Sequence, residues 1–138
     1  MMMSSILRFL VLSALLLMGC SKGKTVIETD PDLGFITTYM HDPKTDLHHG
    51  PYTKTDSAGI LMEKGVLNQG QPDGIRELYY PDGKVKIRER YRKGKLDDLY
   101  EYYFPEGTIE LKGYYIDGAM HGQWRKYTRD GKLFEEVT

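Results

Sequence analysis

The sequence predicts an all-β protein: an elongated, single-layer antiparallel sheet of tandem β-hairpins with a 24-residue period, preceded by a signal-peptide helix. Three observations carry this reading. Glycines recur 24 residues apart in three columns: Gly50, Gly74 and Gly122; Gly59, Gly83, Gly107 and Gly131; and Gly70, Gly94 and Gly118. A fixed period of this length is the mark of a repeat architecture. The stretches between the columns are rich in Tyr, Ile, Val and Leu and have strand length, far short of a helix. Residues 47–138 hold ten of the eleven tyrosines but only sixteen Ile, Leu and Val residues, too few for a thick aliphatic core, which fits a single layer held by aromatic ladders.

Residues 1–19 come first and read as an address. Arg8 precedes an unbroken apolar or small-residue run from Phe9 to Met18, the profile of a secretory signal. The run is too short to cross a bilayer, which takes about 20 apolar residues. It ends in Leu17-Met18-Gly19-Cys20, which resembles the bacterial lipobox, and Cys20 is the only cysteine. That resemblance implies cleavage between Gly19 and Cys20, acylation of Cys20, and a lipid-anchored protein of the cell envelope. Ser21 rather than Asp follows the cysteine, so in a two-membrane bacterium it further implies delivery to the outer membrane, on its periplasmic or surface face. Residues 20–24 form a tether of at most about 17 Å at roughly 3.4 Å per residue, which holds the domain against the membrane.

Residues 25–46 are expected to be degenerate capping strands, Thr25–Glu28 and Phe35–Met40, because terminal units of a repeat array are atypical. The repeats follow as 47–70, 71–94, 95–118 and 119–138. Pro81-Asp82-Gly83-Lys84, Pro105-Glu106-Gly107-Thr108 and Arg129-Asp130-Gly131-Lys132 are turns at one end of the hairpins. Arg92-Lys93-Gly94-Lys95 and Ile116-Asp117-Gly118-Ala119 are turns at the other. Between them, strands are expected at Ile75–Tyr80, Val85–Tyr91, Leu99–Phe104, Ile109–Ile116, Gln123–Thr128 and Leu133–Val137. Asp98 alone breaks the first glycine column. Tyr79, Tyr103 and Tyr127 share one aromatic column; Tyr52, Tyr100 and Trp124 share another. Trp124 and Tyr127 fall on opposite faces under strict alternation, or on one face if a bulge intervenes.

The run from Asp117 to Tyr127, followed by Asp130-Gly131-Lys132-Leu133, resembles a MORN-type repeat of the bacterial variety, and the likeness extends to 71–94, then more weakly to 95–118 and 47–70. The resemblance implies a chain of hairpins serving as a scaffold or binding surface, without catalytic residues. Some bacterial members are antitoxin-like, which adds a second expectation: an immunity-type inhibitor of an exported toxin.

Composition narrows the partners. With 19 basic against 20 acidic side chains and a net charge of -1, no global field draws the chain to nucleic acid. No activated nucleophile, paired-carboxylate site or phosphate loop is legible, so neither an enzyme nor a small-molecule substrate is expected. His41, Asp42, Asp46, His48 and His49 could offer metal ligands, giving a third and weaker reading as a metal-binding envelope protein. The repeat already explains His49 and His121, which share a column, and no metal or cofactor is expected. Lys84, Lys86, Arg88, Arg90 and Arg92 form a basic stripe at period two. Arg88 is expected to pair across strands with Glu77 and Glu101. Arg90 and Arg92 have no evident cross-strand acid. Together with Tyr100, Tyr102, Tyr114 and Tyr115 they are the expected docking site for an unidentified protein partner.

Overall fold

A computed structural model describes residues 23–137. The signal-peptide helix, Gly19 and Cys20 lie outside the described residues. Eleven strands follow in chain order: β1 (Lys24–Thr29), β2 (Ile36–Asp42), β3 (Leu47–Thr55), β4 (Leu61–Asn68), β5 (Gln71–Pro72), β6 (Gly74–Tyr79), β7 (Val85–Arg92), β8 (Lys95–Tyr103), β9 (Ile109–Ile116), β10 (Ala119–Tyr127) and β11 (Leu133–Val137). They form one antiparallel sheet in which every strand neighbours its sequence neighbour, with the two-residue β5 pairing on β4 beside β6. β1 and β2 pair with each other and dock on β3 at one end of the array.

Two turn chemistries alternate and set the period. At Pro81-Asp82-Gly83 the Gly83 amide donates to the Tyr80 carbonyl at 2.9 Å and the Tyr80 amide to the Lys84 carbonyl at 2.8 Å, a type I turn closed by a left-handed glycine. The same pattern recurs at Phe104–Thr108 and Thr128–Lys132. At the other end the turns have only two central residues: Lys93 and Gly94 have φ of 49° and 80°, Asp117 and Gly118 of 51° and 87°. Positive φ at both central residues defines the type I′ hairpin, whose twist matches that of the strands. Such a tight turn lets pairing resume at once, as Arg92↔Lys95 and Ile116↔Ala119. Hence β8 and β10 begin at Lys95 and Ala119, not at Leu99 and Gln123 as the sequence suggested.

Pairing is interrupted inside these longer strands. Register breaks between β7 and β8 opposite Asp98, and between β9 and β10 around Gly122, with left-handed φ of 85° and 68°. The first glycine column is therefore a bulge column, and Asp98 holds the bulge without being glycine.

Successive type I′ turns are stitched together along their edge. The amides of Gly70, Gly94 and Gly118 donate to the carbonyls of His48, Pro72 and Leu96 at 2.7–2.8 Å. Donors and acceptors alike advance by one repeat. No large side chain among the described residues is wholly shielded; the most buried are Tyr39, Tyr79 and Trp124, with Glu77, Glu89 and Glu101. The core is thus spread along both surfaces of one layer.

Candidate binding surfaces

One face carries a ladder of charges across seven strands. In register these are Lys64, Glu77, Arg88, Glu101, Lys112, Arg125 and Glu136, each opposite the next. Each interior glutamate takes one cation from either side. Glu77 Oε2 lies 2.9 Å from Lys64 Nζ and Oε1 lies 2.9 Å from Arg88 Nε. Glu101 takes Lys112 Nζ at 3.1 Å and Arg88 at 3.7 Å. Lys112 and Arg125 are a like-charged cross-strand pair. They turn apart, Lys112 to Glu101 and Arg125 Nε to Glu136 Oε1 at 2.7 Å. Two tyrosines of the repeat column join in: the hydroxyls of Tyr79 and Tyr103 donate to Glu77 and Glu101 at 2.7 Å. Burial raises the Glu77 carboxyl, but the bonds from Tyr79, Lys64 and Arg88 outweigh it and hold the group down at about 2. Desolvation and the bond to Glu101 push Tyr103 up to about 12. The expected Arg88 pairing with Glu77 and Glu101 is the pairing found.

Beside the ladder, alternation places Val66, Ile75, Arg90, Leu99 and Tyr114 on the same face of successive strands. Val66, Ile75 and Tyr114 are 41%, 52% and 45% exposed. This is an open row of apolar side chains with one arginine in it.

The opposite face stacks aromatic rings over glycines. Tyr52 is opposite Gly65, where an added Cβ would come within 2.7 Å of the Tyr52 ring. Trp124 covers Gly113, and a methyl there would overlap the indole. Tyr100 and Tyr115 complete the cluster, their ring centroids 5.5 Å and 5.1 Å from that of Trp124. Trp124 Nε1 is buried with no hydrogen-bond partner among the described residues, so packing alone positions the ring. Trp124 and Tyr127 thus sit on opposite faces, Tyr127 in the column of Tyr79 and Tyr103.

In the second repeat both members of the aromatic–glycine pair are exchanged. Arg76 stands in the Tyr52/Tyr100/Trp124 column and Glu89 in the Gly65/Gly113 column, opposite each other in register. Arg76 NH1 lies 2.8 Å from Glu89 Oε1 and Nε lies 2.8 Å from Glu63 Oε1. Tyr52 and Tyr91 donate hydroxyls to Glu63 and Glu89. The bonds that Arg76 donates to Glu63 raise its pKa against its partial desolvation. Sequence reasoning missed Arg76 and Glu89. The available signal was that both columns depart from type in the same repeat.

The six residues expected to form one docking site do not share a surface. Arg90, Arg92 and Tyr114 lie on the ladder face, and Tyr100, Tyr102 and Tyr115 on the aromatic face, because a strand turns alternate residues to opposite sides. Arg90 and Arg92 also have acidic partners: Arg92 Nε lies 3.0 Å from Asp97 and Arg90 lies 3.9 Å from Asp98. The bulge at Asp98 brings these acids beside β7, which a regular register does not foresee. At the other end, His41 Nε2 approaches Asp46 Oδ1 at 3.0 Å and His48 stacks on Tyr39 at 3.7 Å between centroids. Among the described residues, no three His, Cys, Asp or Glu side chains gather as metal ligands. None of the described segments is a helix long and apolar enough to cross a membrane.

Fold and surfaces together define a hairpin-repeat protein: one sheet, built by local pairing, open on both faces. The family model described as MORN repeat variant matches residues 72–93 and 120–138, the segments that contain β6 with β7 and β10 with β11. Those two segments are therefore similar to MORN-type repeats. No curated protein matches it.

Proposed function

We propose that this chain is a non-enzymatic lipoprotein of the bacterial cell envelope, anchored through acylated Cys20, that presents its repeat sheet as a protein-binding scaffold. The observation that carries the scaffold reading is an extended sheet with neither face covered, stiffened by the charge ladder and bearing the exposed row of Val66, Ile75 and Tyr114. Contiguous exposed apolar surface on an ordered element is what a protein partner covers. The Leu17-Met18-Gly19-Cys20 run supports the anchor.

The experiment has two arms. In the first, Cys20→Ala moves the chain from carbonate-washed membranes to the soluble fraction; retention in the membrane rejects the anchor. In the second, protein recovered stoichiometrically with the intact chain from its own membrane fraction is lost when Ile75→Glu and Tyr114→Glu are combined. Unchanged recovery rejects the exposed row as the binding surface.

A further inference from the structure

The charge ladder and the exposed row beside it share a symmetry. From β6 to β9 the ladder runs Glu77, Arg88, Glu101, Lys112, and the row runs Ile75, Arg90, Leu99, Tyr114. Turned about a line that lies between β7 and β8 and parallel to them, each of these ladder charges falls on its opposite: Glu77 on Lys112 and Arg88 on Glu101. The same turn lays Ile75 on Tyr114 and Arg90 on the bulge of β8. There Asp98 stands 3.9 Å from Arg90 of its own chain, both half-exposed, a loose pair that leaves the guanidinium able to take a second carboxylate.

Other placements of the line lose this match. Set on β7 or on β8, it brings Arg88 onto Arg88 or Glu101 onto Glu101, and like charges brought together repel. Moved one strand toward β9, it sets Arg88 against Arg125 and Glu77 against Glu136. Moved one strand toward β4, it keeps unlike charges opposed but lays the apolar Ile75 on the charge of Arg90, twice over. With the line between β7 and β8, the like-charged pair, Lys64 over Arg125, falls on the outermost strands, where water and salt screen it.

We infer that a second copy of the chain covers the ladder face, the two sheets packing face to face about a two-fold axis between β7 and β8, so that Ile75 of each copy meets Tyr114 of the other. The inference names the partner of the exposed row and rests on the scaffold reading of that row. A two-fold interface uses one patch twice and needs it to be self-complementary, which the order of the ladder supplies. Twisted sheets pack in this aligned manner about 10 Å apart, with the facing side chains interdigitated. Covering the face leaves neither interior glutamate unpaired, since Glu77 and Glu101 each already hold two cations. The area also suffices. Six strands, β4 and β6 to β10, make a face about 29 Å wide at roughly 4.8 Å per strand and about 27 Å long at roughly 3.4 Å per residue, on the order of 800 Å² per copy, the size of a stable interface. A partner of unrelated sequence has to bring the complementary order of charges with it; a second copy has that order already.

Two versions of the full chain carrying different tags are co-expressed, and the first is captured from detergent-solubilised cells. The second is recovered with it. When both versions carry Ile75→Lys, or both carry Tyr114→Glu, that recovery falls about tenfold. It returns when one version carries Ile75→Lys and the other Tyr114→Glu, because the axis sets the site of Ile75 in each copy against the site of Tyr114 in the other. If a variant fails to fold by circular dichroism, cysteines replace the charges: a short bismaleimide joins Ile75→Cys of one version to Tyr114→Cys of the other and does not join two Ile75→Cys chains. Absence of the second version from the wild-type capture, recovery indifferent to the matched variants, no return in the mixed pair, or the reverse pattern of cross-links overturns the inference. If the two versions stay apart while recovery of another protein still depends on Ile75 and Tyr114, only the second copy is wrong. If neither is recovered, the scaffold reading falls with it.

Discussion

At Gly113 the backbone is ordinary strand; what demands glycine is the indole lying over it. Gly113→Ala must therefore push Trp124 off the sheet, and because no hydrogen bond holds Nε1 the ring has nothing to resist the shift. The expected cost is about 1–3 kcal/mol, typical of overpacking. The emission of Trp124, the single tryptophan, shifts to the red as it gains solvent. An unshifted spectrum with wild-type stability contradicts the stacking. Glu77 gives a second test at this scale. Its carboxyl titrates at about 2 in the fold against an ordinary 4.5, so its contribution is complete above about 4.5 and is lost as pH falls from there toward 2. Glu77→Gln should cost roughly 2 kcal/mol at neutral pH and little near pH 2. Denaturant melts at the two pH values check it, and a pH-independent difference removes the ionic origin.

Among the elements, Asp98 is the one bulge residue of the column that is not glycine, held at φ 85° where L side chains are strained. Asp98→Gly should stabilise the β7–β8 hairpin by about 1 kcal/mol, offset in part by added freedom of the unfolded chain. Its ion pair with Arg90, at 3.9 Å and half-exposed, is too weak to reverse the sign. Chemical denaturation of the single variant measures this; a destabilised protein shows that the aspartate has a local role beyond filling the bulge. The same residue marks how far the sequence could be read. Turn glycines and the 24-residue period announced the hairpins, since φ demands are local and leave a compositional trace. Glu77 opposite Arg88 also followed, because one turn sets the register on either side of it. Asp98 hid the bulge, and with it the early start of β8 and the approach of Asp97 and Asp98 to Arg92 and Arg90. Those depend on where an extra residue is absorbed across two strands, which no single column records. Arg76 and Glu89 hid for a related reason: each looks like a surface residue until the pairing sets it between two other charges.

For the molecule as a whole, the repeat is a unit of pairing as well as of sequence, so whole units can be removed. Deleting 71–94 joins Gly70 to Lys95 and brings Lys64 opposite Glu101. Deleting 95–118 joins Gly94 to Ala119 and brings Arg88 opposite Arg125. Each unit contacts mainly its neighbours, so both shortened chains are expected to fold. Each keeps one like-charged pair, Lys112 with Arg125 in the first and Arg88 with Arg125 in the second, so the two are expected to melt at similar temperatures. Circular dichroism melts compare them. A large difference between the two means that something other than the ladder governs how units join. Removing 71–82 alone takes out β6, one strand of a hairpin, reverses everything downstream, and should abolish the cooperative melt.

The strict neighbour order of the strands also has a mechanical meaning. β1 and β11 lie at opposite edges of the sheet. Tension applied between a surface holding one edge and a load on the other acts across the strands, loading their hydrogen bonds a few at a time instead of in parallel shear. The ribbon then opens like a zipper, hairpin by hairpin, each repeat releasing up to about 80 Å of slack at roughly 3.4 Å per residue. A sheet of this construction yields gently and in steps, spreading a sudden pull over distance while the repeats not yet reached stay folded.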